Sequence, residues 1–133
     1  MGKGRALFAV GALIAVLAVV LGFSSAPASG GSLSKKQIVV IGTSPAQPVG
    51  GQTYTMSFEL LRAGVPRHMA GVNCYALAAG RTATVVDQGT DGTIGHCTWA
   101  IPRRASGGTL DGVVSAQGGN GVWIKLGFDV PIA

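Results

Sequence analysis

The sequence predicts an all-β sandwich, and three observations carry that prediction. Short segments of period-two alternation recur, with turn chemistry about every eight to twelve residues. Two cysteines, Cys74 and Cys97, follow an N-terminus of export type. Trp99 sits just past Cys97, in the segment Cys97-Thr98-Trp99-Ala100-Ile101-Pro102. No stretch of helical period competes beyond the N-terminal apolar run, and there is no internal repeat.

Lys3 and Arg5 form a short basic start, and the run from Ala6 to Phe23 carries no charge. Ala26-Pro27-Ala28 then places small residues at the −3 and −1 positions of a cleavage site. This is the pattern of a signal peptide over residues 1–28, leaving Ser29 as the new N-terminus. The run is also about as long as a ~30 Å hydrocarbon core requires of a helix, so an uncleaved membrane anchor is the competing reading. The well-placed Ala-x-Ala site favours cleavage. Either way the domain is expected to be secreted or held at the cell envelope. There, an even pair of cysteines predicts one disulfide, Cys74 to Cys97.

Residues 29–35 read as a flexible lead-in of Ser, Gly and Leu ending in Lys35, and residues 36–133 as one domain. Gln37 to Ile41 is a β-branched run and a first strand. Gly42 to Gly51 carries Pro45 and Pro48 and reads as a loop or kinked edge. Thr53 to Leu60 is the clearest strand, with Tyr54, Met56, Phe58 and Leu60 alternating against Thr55, Ser57 and Glu59. Arg62 to Gly71 reads as a connection. Val72 to Leu77 follows, with Val72, Cys74 and Ala76 on one face. Ala79-Gly80 breaks it, Thr82 to Val86 resumes, and Asp87 to Gly92 reads as a turn.

Gly95 to Ile101 puts Cys97, Trp99 and Ile101 on one face, and Pro102 ends it. Past the polar stretch Arg103 to Gly108, Leu110 to Ala116 is a further strand. Gly118-Gly119-Asn120-Gly121 is hairpin chemistry. The last strand, Val122 to Val130, sends Val122, Ile124, Leu126, Phe128 and Val130 one way and Trp123, Lys125, Gly127 and Asp129 the other. The sum is about seven strands.

With those elements placed, the chain resembles a bacterial immunoglobulin-like domain of secreted and cell-surface proteins, over residues 36–132. The marks are Pro45-Ala46-Gln47-Pro48-Val49-Gly50-Gly51, Ala63-Gly64-Val65-Pro66, Cys97 to Pro102, and Ala105-Ser106-Gly107-Gly108-Thr109-Leu110-Asp111-Gly112. The resemblance implies an antiparallel immunoglobulin-like sandwich acting in binding, adhesion or spacing. Two departures matter. Trp99 follows the second cysteine instead of lying between the pair, and the cysteines are close in sequence. The disulfide should therefore join different strands from the antibody pair, and no antibody-type binding loops carry over. Ala133 follows the last strand with no sorting signal, so the expectation is a single module, released or held by its N-terminus.

Composition narrows the partners. The formal charge of +5 falls to +3 once Lys3 and Arg5 are removed, and the remaining basic residues are scattered. No run tracks phosphates, so nucleic acid is not an expected partner. Catalysis is not expected either. His68 lies in a Pro/Gly-bounded loop, His96 should point outward opposite Cys97, and no Gly-x-Ser-x-Gly elbow occurs. Asp87 and Asp91 read as turn residues. A calcium loop starting at Asp87 fails, with Gly89 third and Thr98 where a bidentate Glu belongs. A copper site built from Cys97, His96, His68, Met56 or Met69 fails because no His or Met follows Cys97. No metal or cofactor is expected.

One residue breaks the bland pattern. Trp123 falls on the polar register of the last strand beside Lys125. An outward Trp stacks on a sugar ring, a peptide or another subunit, unless a loop or the N-terminal segment covers it. Tyr75 and Asn73 share the corresponding face of the Cys74 strand and extend the patch if those strands are neighbours. The expected partner is an extracellular protein or a cell-wall glycan. The leading function is a non-enzymatic envelope module. A carbohydrate-binding accessory module using Trp123 is one alternative, and a secreted enzyme or redox carrier of unfamiliar type is the other.

Overall fold

Alternation along the strands dictates two sheets with one buried face each, and the computed structural model, which describes residues 35–133, has that architecture. The signal or anchor segment 1–28, and all of the lead-in except Lys35, lie outside the described residues. Among the described residues, no helix is long and apolar enough to cross a membrane.

Nine strands form in chain order: β1 (Lys36–Ser44), β2 (Thr53–Arg62), β3 (Val65–Arg67), β4 (Met69–Ala78), β5 (Arg81–Thr82), β6 (Thr84–Asp91), β7 (Ile94–Ala100), β8 (Thr109–Gly118) and β9 (Trp123–Pro131). A five-stranded sheet has the order β1-β2-β7-β6, with β3 added to β2. A four-stranded sheet has the order β5-β4-β8-β9. Every pairing is antiparallel.

The core lies between the sheets. Tyr54, Met56, Phe58 and Leu60 from β2 are buried, as the period of two requires. Cys97 and Trp99 from β7 join them, and Leu110, Val114 and Ala116 of β8 close the layer from the other side. The Trp99 and Phe128 rings meet across the sheets with centroids 5.5 Å apart, tilted by 50°. Gly112, opposite Phe128 in register, leaves room for that ring: a Cβ there would stand 2.6 Å from it. Cys74 of β4 bonds Cys97 of β7, so the disulfide ties one sheet to the other with Cα atoms 5.9 Å apart.

Four expectations need correction. Arg62 to Gly71 is not a bare connection: it holds a tight turn, β3, and the start of β4. Ala63-Gly64 joins β2 to β3 and Ala79-Gly80 joins β4 to β5, all four residues with positive φ, the two-residue hairpin geometry whose twist matches the strands. Alanine at the first position of each hid the signal, since that site favours Asn, Asp or Gly.

The segment Thr82 to Val86 is not one strand. Arg81 and Thr82 belong to the four-stranded sheet, and Thr84 opens β6 in the other. Ala83 makes the crossing, buried, with its N–H donating to the Ala76 carbonyl at 2.9 Å.

Asp87 to Gly92 is mostly strand, not turn. It continues β6 past a bulge between Val85 and Asp87, and only Gly92 and Thr93 turn the chain. Finally, Val122 does not face inward. It precedes β9 in the hairpin and is exposed, its N–H donating to Asn120 Oδ1 at 3.0 Å.

Candidate binding face

The outer face of the four-stranded sheet is built from the β8–β9 hairpin upward. The Gly118-to-Gly121 turn closes with Gly121 N–H donating to the Gly118 carbonyl at 3.0 Å. Gln117 Nε2 donates to the Gly121 carbonyl at 3.1 Å, and Lys36 Nζ donates to Asn120 Oδ1 at 3.3 Å. This tip sets Gln117 opposite Trp123, and with it the register of the whole hairpin. Odd-numbered residues of β9 then point away from the core.

Cross-strand pairing extends each position into a row of three. Trp123 stands beside Gln117 and Gly71, Lys125 beside Ser115 and Asn73, Gly127 beside Val113 and Tyr75, and Asp129 beside Asp111 and Leu77. Trp123 is 45% exposed and Tyr75 50%. Lys125, Asn73, Asp111 and Asp129 are exposed, while Ser115 is buried between its neighbours.

The first row has a distinctive geometry. A Cβ added to Gly71 would lie 3.4 Å from Cη2 of Trp123 and 3.3 Å from Oε1 of Gln117. The indole therefore starts on β9, passes over Gln117 of β8, and ends beside β4. Two interstrand spacings are about 9.6 Å, so a ring that reaches this far lies along the sheet rather than standing up from it. The ring spans the row and remains open to solvent.

Charge is distributed unevenly. Lys125 has no carboxylate within ion-pair distance among the described residues. Asp111 and Asp129 stand directly opposite each other, an arrangement that disfavours close packing of further negative charge. The face thus carries both signs, two rows apart.

The opposite outer face, on the five-stranded sheet, is hydroxyl-rich. Thr55 and Thr98 hydroxyls hydrogen-bond at 2.8 Å across β2 and β7. His96 points outward, as expected, and its Nε2 contacts Asp87 Oδ2 at 3.0 Å. Ser57 is opposite His96 in register, yet no hydrogen bond joins them. A base and an orienting carboxylate are present, with no nucleophile hydrogen-bonded to the histidine among the described residues. A shallow cleft of about 180 Å³ lies elsewhere, lined by Ala78, Ala79, Arg81, Pro102, Arg104 and Ala105, with no His or carboxylate. Among the described residues, no three His, Cys, Asp or Glu side chains converge on a point. Cys97 is covalently bonded, and Met56 and Met69 are core residues.

The structure thus brings Trp123, Lys125, Tyr75 and Asn73 onto one face, with Tyr75 two rows from Trp123. Sequence reading missed Gly71 and Gln117 beside the indole and the Asp111–Asp129 pair. Counting outward from the four residues Gly118 to Gly121 would pair Gln117 with Val122 and Asp111 with Phe128; the structure takes Val122 into the loop and shifts the register by one, which sets Gln117 opposite Trp123 and the two aspartates opposite each other. Gly71 carries no local signal, because its role depends on β4 lying beside β8. No family model matches the chain, and no curated protein is significantly similar to it.

Proposed function

We propose that this chain is an exported, non-enzymatic immunoglobulin-like module that binds a partner at or outside the cell envelope, through the outer face of the four-stranded sheet. The strand order supports the fold assignment. Lettered A to G in sequence, with β3 left unlettered and β5 as C′, the sheets read ABED and C′CFG, the order of immunoglobulin-type sandwiches. The disulfide then joins C to E rather than B to F, so the likeness is one of topology and not of the antibody staple. That bond fits an oxidising compartment, and the basic, apolar and Ala-x-Ala succession at the N-terminus supports export.

The observation that carries the binding assignment is Trp123, which reaches across the sheet to Gly71 yet stays 45% exposed. A solvent-facing indole adds little to folding and costs solubility, whereas at an interface it is the commonest type of anchor. The test is retention of the purified protein by envelope material from the producing cells. Wild-type protein should bind saturably, and Trp123→Ala should release it. Equal retention of the variant overturns the assignment.

A further inference from the structure

We propose that the ligand of this face is an uncharged polysaccharide, whose sugar rings stack on Trp123 and, further along, on Tyr75. The proposal rests on the binding assignment above and names its substrate class.

Three features select a glycan. First, the indole lies along the sheet instead of projecting. Protein hot-spot anchors typically fill pockets, whereas a flat ring on a flat sheet offers a broad surface of negative π potential. The C–H face of a pyranose ring matches that surface, with its polarised hydrogens turned toward the ring.

Second, the two aromatic residues do not form a continuous apolar patch. The Lys125–Ser115–Asn73 row separates them. A protein interface concentrates apolar side chains at a charge-depleted centre, and here the centre is polar. A sugar polymer presents apolar ring faces and hydroxyl edges in alternation. Asn73, Gln117 and Lys125 supply donors and acceptors beside the stacking surfaces. Tyr75 and Trp123 are two rows apart along the strands, about 13 Å at ~3.3 Å per residue. One monosaccharide cannot touch both, so the ligand is an oligomer.

Third, the face bears Lys125 at one level and Asp111 with Asp129 at another. A strongly anionic polymer would meet the aspartate pair, and a cationic one would meet Lys125. An uncharged polyhydroxyl chain suits both.

Gly71 is the positioning residue. A Cβ there would meet Cη2 of Trp123 at 3.4 Å, an ordinary contact, so it is the further branches of a valine that would compete for the space held by the tip of the indole.

The experiment is a titration of the purified exported protein with uncharged glucan, xylan and N-acetylglucosamine oligomers, from disaccharides to hexasaccharides, followed by indole fluorescence. At least one series should give saturable binding that tightens about tenfold or more with length and persists at raised ionic strength. Trp123→Ala should weaken it about tenfold or more. Gly71→Val should weaken it while leaving the unfolding midpoint near wild type, and Trp123→Phe, which keeps a smaller flat ring, should fall between. If no series binds, or if affinity is independent of length or collapses with salt, the glycan proposal is overturned. Should envelope protein still be captured in a Trp123-dependent way, only the ligand class falls. If capture is also indifferent to Trp123, the binding assignment falls with it.

Discussion

Trp99 and Trp123 occupy odd positions of strands in opposite sheets, yet one ring is wholly buried and the other keeps 45% of its surface exposed. Around Trp99, every neighbour serves packing. Phe128 meets it ring to ring, Gly112 clears space for Phe128, and Cys97, two residues before it on the same strand face, is buried with it. Around Trp123, the indole reaches across Gln117 of β8 to Gly71 of β4 and stays largely in solvent. The two glycines differ: Gly112, on the strand next to Phe128, is required for the ring packing, whereas Gly71, two strands from Trp123, lies in ordinary contact with the tip of the indole.

The difference extends to polar atoms. Trp99 Nε1 is buried with no hydrogen-bond partner among the described residues. Such an orphan donor costs about 1–3 kcal/mol. Burying an aromatic side chain removes ~150–250 Å² from water, worth about 4–6 kcal/mol at ~25 cal/mol per Å². The packing term exceeds the penalty, so the interior tolerates an unsatisfied indole where the outer face need not.

The sharpest way to break the comparison is Trp99→Ala. It should destabilise the domain by about 3–5 kcal/mol, because the cavity opens against Phe128. Urea unfolding followed by circular dichroism measures it, and a midpoint shift no larger than a surface substitution gives would refute the burial. Next in size is removal of the inter-sheet bond by alanine at both Cys74 and Cys97. For a sequence separation of 23, the chain-entropy estimate is about 3 kcal/mol. An unchanged midpoint would show that the sheets hold together without it.

Trp123→Ala sharpens the contrast from the other side. It should cost under about 1 kcal/mol of folding stability while costing about 2 kcal/mol or more of partner binding. Unfolding as severe as that of Trp99→Ala would mean that the outer ring is structural, and the binding face would have to be abandoned.

The smallest effect concerns Tyr54, buried beside Trp99's strand. Burial raises its phenol above 10.0, opposed by a hydrogen bond with the Thr43 side chain. The neutral form is favoured in the fold, so the unfolded chain ionises first. Tyr54's contribution is complete below about pH 10 and declines as pH climbs toward the raised native value. Unfolding midpoints measured across this range should fall more steeply for wild type than for Tyr54→Phe. Parallel curves would refute the assignment.

Much of this fold is readable along the chain. The alternation in β2 and β7 places Phe58 and Trp99 inside, because side chains of a strand point to opposite faces in turn. The same parity turns Trp123 outward. Elsewhere local chemistry misleads. Asp87 and Asp91 are turn formers by type, yet they lie in β6, an edge strand with one face in water, where carboxylates are tolerated and Asp87 meets His96. The crossing at Ala83 has no Pro or Gly to announce it. It exists because the packing of the two sheets gives Ala83 a buried place and a partner at Ala76.

Strand parity, legible in the chain alone, turns Phe58 and Trp99 inward and Trp123 outward, and a count of two cysteines fixes their pairing. These depend on spacing within a strand and on cysteine number, whereas the folded hairpin, by taking Val122 into its loop, set Trp123 opposite Gln117. Only the tertiary structure decided that β4 lies against β8, and thus that Gly71 meets the tip of the indole and Tyr75 shares its face. Strand neighbours distant in sequence are chosen by the joint burial of both sheets, a property of the whole domain that no local pattern encodes.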